Sequence, residues 1–269
     1  LGKLISGSRN DLVITSKVYF PTSNDVNARG NTRKNIMNSI NESLKRLNTE
    51  YIDLYFLHRF DDLTPIEETM RVLDDLVRTG KVLYLGASNF AAWQIAKSIG
   101  ISEKNCWNRF ECIQPMYNLV KRQAEVEILP MAISENIGVI NYSPTGGGLL
   151  SGKYAKNNQP SRGRLIENEM YKVRYNEPEM FEIAERFTLL SKKYGHSPIS
   201  LAIAWASSHP AITSPIIGGR NTEQLKDSLN SVNIEMTTDL RQEITDLGSN
   251  PGVATDRNEE STEHNYGQR

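Results

Sequence analysis

The sequence predicts a parallel α/β fold of the (β/α)8 (TIM) barrel kind, on three observations. Short apolar segments alternate with amphipathic helical ones along the 269 residues. The short segments are rich in Val, Ile and Tyr and mostly apolar on both faces, as are strands of a parallel sheet covered on each side. Most of them end in a polar group, and a barrel keeps its chemistry at the C-terminal ends of its strands. The competing architecture is a doubly wound nucleotide-binding sheet. It calls for a G-x-G-x-x-G turn after its first strand, and the chain contains no such pattern.

The opening "LGKLISGSRND" reads as the last turn of a helix entering a loop, without the charged and apolar regions of a signal peptide. A strand follows over 11–19, with Lys17 near its end, then a helix over 32–47. The next strand, 51–58, stops at His58. The helix over 65–79 is the best signalled: Thr64 can cap it, Pro65 suits its first position and Glu67 completes a capping box. Ile66, Met70, Leu73, Leu76 and Val77 form its apolar stripe, and Gly80 ends it. A strand over 82–88 runs out at Ser88 and Asn89, and a helix is expected over 90–99. The strand 112–117 carries Gln114, the helix 122–136 follows, and the strand 138–143 ends in Tyr142 and Ser143. Helices fill 177–209, broken between Gly195 and Pro198. A last strand, 215–218, leads to Gly219 and Arg220, followed by helices over 222–231 and 238–247. Six strands are two short of a closed barrel and would leave open edges. The expectation is therefore a barrel over residues 1–249, truncated at its N-terminus by two βα units, with a polar tail over 250–269.

Composition narrows the function. With 38% hydrophobic and 23% charged residues the chain has the profile of a globular protein, and no apolar run approaches the length of a membrane span. A net charge of −1 gives no electrostatic footprint for nucleic acid or an anionic membrane. The two cysteines, Cys106 and Cys112, fit no metal spacing and read as ordinary buried or half-buried thiols. So few thiols suit a reducing compartment, and a cytoplasmic location is expected.

Several segments together carry a resemblance: "VITSKV", "YIDLYFLHRFD", "GKVLYLGASNF", "IQPMYN", "INYSPTGGGLLSGKY" and "PIIGGRNTEQL". In this order, across residues 1–247, they resemble the aldo-keto reductase superfamily, above all its bacterial reductases and the related potassium-channel β subunits. The resemblance implies a (β/α)8 barrel that binds NADP(H) without a doubly wound domain and reduces small aldehydes or ketones. It also implies a catalytic tetrad of Asp, Tyr, Lys and His. Lys17 matches the lysine and His58 the histidine, whereas the aspartate and tyrosine would fall before Leu1.

The chemistry gives each type its reason. Carbonyl reduction needs a hydride donor on one face and a proton donor at the oxygen. A tyrosine is too weak an acid near neutral pH unless a nearby ammonium stabilises its phenolate, and a carboxylate keeps that ammonium charged and in place. A histidine donating from one ring nitrogen orients and polarises the carbonyl. Tyr19, on the strand face of Lys17, reads as loop packing and not as a substitute acid.

Cofactor contacts are implied at several further positions. Ser88, Asn89 and Gln114 match the partners of the nicotinamide carboxamide, and Tyr142 matches the aromatic that stacks on its ring. The run from Ser143 and Pro144 through Thr145, Gly146 and Gly147 to Lys153 suits backbone approach to a pyrophosphate, with charge supplied by Lys153 and with Arg162 or Arg164 as a cover. Relatives commonly carry Leu-Ala where this chain has Thr145-Gly146. In "PIIGGRNTEQLKDSL", Gly218 and Gly219 form a turn, and Asn221 caps a helix with Gln224 completing the box. Arg220 at that helix N-terminus suits a ribose 2′-phosphate and so favours NADP(H) over NAD(H). Gln224, Asp227 and Ser228 match positions at the adenosine end. His196, His209 and His264 show no partner pattern and read as structural or exposed.

Three functions compete: an NADP(H)-dependent carbonyl reductase whose remaining tetrad members lie outside this chain; a cofactor-binding regulatory protein that docks onto a partner, as a channel β subunit does; and an inactive truncated product. The partner expected is a small carbonyl compound, with no nucleic acid and no membrane.

Overall fold

The structure, a computed structural model, describes residues 1–154 and 160–263, so His264 lies outside the described residues. They fall into two compact units: Leu1–Pro115 with Met131–Gly138, and Met116–Pro130 with Val139–Arg269.

The first unit opens with the short helix α1 (Gly2–Ile5). It then alternates β1 (Thr15–Val18), α2 (Arg33–Leu47), β2 (Ile52–Leu57), α3 (Ile66–Arg78), β3 (Val82–Ser88), α4 (Ala92–Asn105) and β4 (Phe110–Gln114). The four strands are parallel and neighbour one another in chain order. Their register sets Lys17, Phe56, Gly86 and Cys112 side by side in one row. Val18, Leu57, Ala87 and Ile113 form the next row on the opposite face, and all four are buried. Phe56 is fully buried, and its ring occupies the space over Gly86, where a Cβ would stand 2.5 Å from the ring. α3 buries Ile66, Met70, Leu73 and Leu76 as its pattern requires, and Gly80 (φ 72°) follows its end.

The second unit begins its regular structure with α5 (Ile128–Ser134), which continues into the first. It then holds β5 (Gly138–Asn141), a 3-10 turn at Gly146–Ser151, α6 (Arg164–Glu167), α7 (Glu169–Arg174), α8 (Pro178–Lys193), α9 (Pro198–Ser207), β6 (Ser214–Pro215), α10 (Thr222–Leu229) and α11 (Thr238–Thr245). β5 and β6 pair in parallel, with Ile140 opposite Ser214. The core here is aromatic: Trp205 stacks on Tyr117 at 5.2 Å, and Phe187 and Tyr175 are buried, as are aliphatic residues of α8 and α9.

Several expected boundaries move, each for a physical reason. The strand expected over 11–19 begins at Thr15, because the Ile14 amide donates to the Asp53 carboxylate (2.8 Å) instead of to a neighbouring strand. It ends before Tyr19, whose φ of 145° is incompatible with a strand. The strand expected over 112–117 covers Phe110–Gln114, since Pro115 has no N–H to continue the ladder. The strand expected over 215–218 is Ser214–Pro215, because its partner β5 ends at Asn141. The helix of 90–99 instead runs through Gly100 to Asn105, and that of 122–136 shortens to α5 behind a 3-10 turn at Gln123–Glu125. Thr64 does not cap α3: its hydroxyl donates to Asp61, and Pro65 holds the cap position with no side-chain bond. Cys106 is exposed at the left-handed end of α4, while Cys112 is buried.

Candidate active site

Strand alternation places the first group of site residues. In a strand, residues two apart share a face. His58 therefore lies on the face of Phe56, Ser88 on that of Gly86 and Gln114 on that of Cys112, one step beyond the row that begins with Lys17. Backbone pairing extends past β2, since the His58 N–H donates to the Val18 carbonyl at 2.9 Å. Lys17, His58, Ser88 and Gln114, read separately from the sequence, thus gather on one face at the strand exits.

Their environment sets their protonation. Burial lowers the pKa of the Lys17 ammonium, which stands 5.4 Å from the centre of the Phe56 ring. Burial also lowers the pKa of His58, and the positive charge of Lys17 adds to the effect. A histidine held below its ordinary value is neutral at pH 7 and keeps one N–H to donate. The ring of Phe20 meets His58 edge-on at 4.8 Å and covers part of it. Ser88 is buried and donates to the Gln114 carbonyl at 2.9 Å. Asn89, in the left-handed region (φ 56°), donates to the His58 carbonyl at 2.9 Å and to the Ser88 hydroxyl at 3.1 Å.

The remaining residues belong to the second unit. Tyr142 is half-buried, and burial raises its hydroxyl pKa, opposed by the charge of Arg174. Asn118 donates to the Ser143 carbonyl at 3.0 Å, and Ser143 is itself left-handed (φ 56°). Pro144 is buried, and Thr145 precedes a turn in which Gly146, Gly147 and Gly148 all have positive φ. At Gly147 a Cβ would stand 2.7 Å from the ring of Tyr171, so only glycine fits beneath that ring. Arg164 and Arg174 place their guanidinium groups 5.1 and 5.0 Å from the centre of the same ring. Lys153 is exposed, with its ammonium 5.4 Å from the centre of the Tyr154 ring.

Gly218, Gly219 and Arg220 are exposed, and Arg220 pairs loosely with Glu167 at 3.9 Å. Asn221 caps α10 as expected, accepting from the Gln224 N–H at 2.9 Å. Gln224 returns its side chain to the N–H of Arg220 (3.0 Å), one residue before the expected position. Asp227 is exposed, whereas Ser228 is buried and donates to the Gln224 carbonyl. His209 is half-buried against Tyr117, and the exit loops of β1 and β2 bring in Phe20, Asn31 and Asp61, which sequence reading passed over. Tyr171 has no signal in the sequence either, as a helix of six residues carries too little pattern to mark it.

Among the described residues no cluster of His, Cys, Asp or Glu could hold a metal ion, and no helix is long and apolar enough to cross a membrane.

The model of the aldo/keto reductase family matches residues 1–248. The chain is 36% identical to an uncharacterised oxidoreductase of Bacillus subtilis over 257 residues, covering 92% of this chain and 75% of the relative. It is 36% identical to a versiconal hemiacetal acetate reductase of Aspergillus parasiticus, over 79% of this chain and 61% of that one. It is 34% identical to a probable voltage-gated potassium channel subunit beta of Arabidopsis thaliana, over 84% of this chain and 70% of that one.

Proposed function

This chain belongs to the aldo/keto reductase family, and we propose that it serves an NADP(H)-dependent oxidoreductase that reduces aldehydes or ketones to alcohols by hydride transfer. The observation that carries the reading is the shared face of Lys17 and His58 at adjacent strand exits, where burial keeps the imidazole neutral.

The residues present fit the cofactor. The three positive-φ glycines give the turn a backbone with no side chains of its own, two of its amides being held within the turn and the Tyr171 ring lying over Gly147, and Lys153, Arg164 and Arg220 supply cations suited to phosphates. Bound NADPH supplies the hydride. Ser88, Asn89 and Gln114 are assigned to the carboxamide, Tyr142 to the ring, residues 143–147 with Lys153 and Arg164 to the pyrophosphate, and Gly218, Gly219, Arg220, Gln224, Asp227 and Ser228 to the adenosine end. Neutral His58 donates a hydrogen bond to the carbonyl oxygen and so favours the charge that develops there. Lys17 acts on the proton donor: an ammonium close to a phenol stabilises its conjugate base and lowers its pKa. The aspartate and tyrosine that the resemblance adds have no matched position in these 269 residues. Turnover of 4-nitrobenzaldehyde by this chain as written is accordingly expected far below ~10 s⁻¹, a typical enzyme rate. A rate near that value would show that another acid takes the tyrosine's part.

Cofactor binding tests the reading without depending on that acid. Fluorescence titration should show NADPH bound more tightly than NADH, and Arg220→Gln should weaken NADPH about tenfold, ~1.4 kcal/mol, while leaving NADH nearly unchanged. No saturable binding of either nucleotide would sink the proposal. The likeness to a potassium channel subunit beta favours a second reading, a cofactor-binding regulatory subunit. That reading gives His58 no work, so substituting His58 would leave its function intact.

A further inference from the structure

The exit loops of β1 and β2 are tied together by one carboxylate. Asp61 Oδ2 accepts the Asn31 N–H at 2.7 Å and the Thr64 hydroxyl at 2.8 Å, while its Oδ1 accepts the Leu63 N–H at 3.1 Å. Asn31 is 2% exposed, and its side-chain amide donates to the Arg59 carbonyl at 2.9 Å, next to His58. Its other amide atom, Oδ1, is buried with no hydrogen-bond partner. Such a cost is tolerated where the rest of the group's contacts fix the geometry. The preceding residue, Gly30, donates to the Tyr19 carbonyl at 2.8 Å and so closes the loop of 19–30 at its foot. That foot admits only glycine: φ is 76°, and a Cβ would stand 2.7 Å from Asp61 Oδ2. From the other foot of the loop, Phe20 projects onto the His58 ring, edge-on at 4.8 Å.

We propose that Asp61 is a positioning residue: by pinning Asn31 and Gly30 it holds the loop that sets Phe20 on His58, and so fixes the ring beside Lys17. Its purpose in carbonyl polarisation rests on the reductase reading, but the mechanical link does not. The carboxylate is suited to the task. Burial raises its pKa, yet the hydrogen bonds from Asn31, Thr64 and Leu63 outweigh that and leave it below its ordinary value, charged at neutral pH.

The effect should be read at His58 itself, by NMR titration of the histidine ring protons without cofactor or substrate. Lys17 is the charged side chain that acts on this ring from β1. Asp61→Asn loses the charged acceptor, frees the loop and exposes the ring, so the His58 midpoint should rise toward that of an unperturbed imidazole. That of His209, which is half-buried against Tyr117, should stay fixed. Phe20→Ala should raise the His58 midpoint likewise, and the double variant should rise no further than Phe20→Ala alone. Asn31→Ala, which keeps the backbone bond to Asp61 and removes the strut to Arg59, should give a smaller rise and serves if Asp61→Asn fails to fold. An unchanged His58 midpoint in the folded Asp61 or Asn31 variant overturns the proposal, as do fully additive shifts in the double variant. If NADPH binding fails while these shifts appear, the reductase reading falls and the positioning role stands.

Discussion

At the scale of single residues, what was legible were groups whose chemistry is unusual for their place. A lysine and a histidine at the ends of apolar strands are costly to bury unless something uses them. Lys17 and His58 stand out for that reason, but it is the resemblance that gives them their roles, and strand register then puts them on one face. Phe20, Asn31 and Asp61 were not visible, because a Phe or an Asp in a loop is ordinary and their meaning comes from contacts between residues far apart in the chain, 30 positions for Asn31 and Asp61. The coupling of Lys17 and His58 gives a direct test. Lys17→Met removes a positive charge that opposes imidazolium formation, so the His58 midpoint should rise, while the burial that also lowers it remains. The rise should be partial, stopping short of an exposed histidine. A midpoint that stays put on NMR titration would mean that the ammonium does not act on the ring.

At the scale of elements, periodicity located the helices and strands, and local chemistry shifted their ends. The stripe of α3 was legible because every third or fourth residue is apolar, but its cap was not. As a cap, the Thr64 hydroxyl oxygen would accept a backbone N–H of the first turn; instead the hydroxyl donates to the Asp61 carboxylate, and the charged partner wins. The helices α6 and α7 were missed because four and six residues carry too little pattern. Gly86 shows what sequence alone leaves hidden within a strand. Glycine weakens a strand, so its presence in β3 has a cause outside β3: the Phe56 ring from β2 fills the side-chain space. Gly86→Ala should force the ring from its place and cost about 1–3 kcal/mol. Urea unfolding would read this as a lower midpoint with unchanged slope. A neutral result would mean that the ring moves aside freely.

At the scale of the whole molecule, the sequence showed a parallel α/β family member, and the titrating groups that decide its response to acid emerge only in three dimensions. His58 and His209 are both held below the ordinary imidazole value, chiefly by burial. For a base with a depressed folded pKa, the unfolded chain binds more protons between the folded value and about 6.5, so stability declines as pH falls through that window. Asp61, Asp74 and Glu125 follow the acid case. Burial raises the pKa of each, but hydrogen bonds dominate: from Asn31 and Thr64 to Asp61, from Asn108 and Arg78 to Asp74, and from Arg122 and Tyr117 to Glu125. Their folded values lie below the unfolded ones, so the stability they add is intact above about 4.3 and is lost as pH falls through the folded values. The melting temperature should therefore fall in two stages on acidification, a shallow one beginning near pH 6.5 and a steep one in the carboxylate range. The double variant His58→Gln, His209→Gln should lose the shallow stage and keep the steep one, because neither glutamine titrates. Calorimetric melts across pH 3 to 8 would check this, and a shallow stage that survives both substitutions would assign it to other groups.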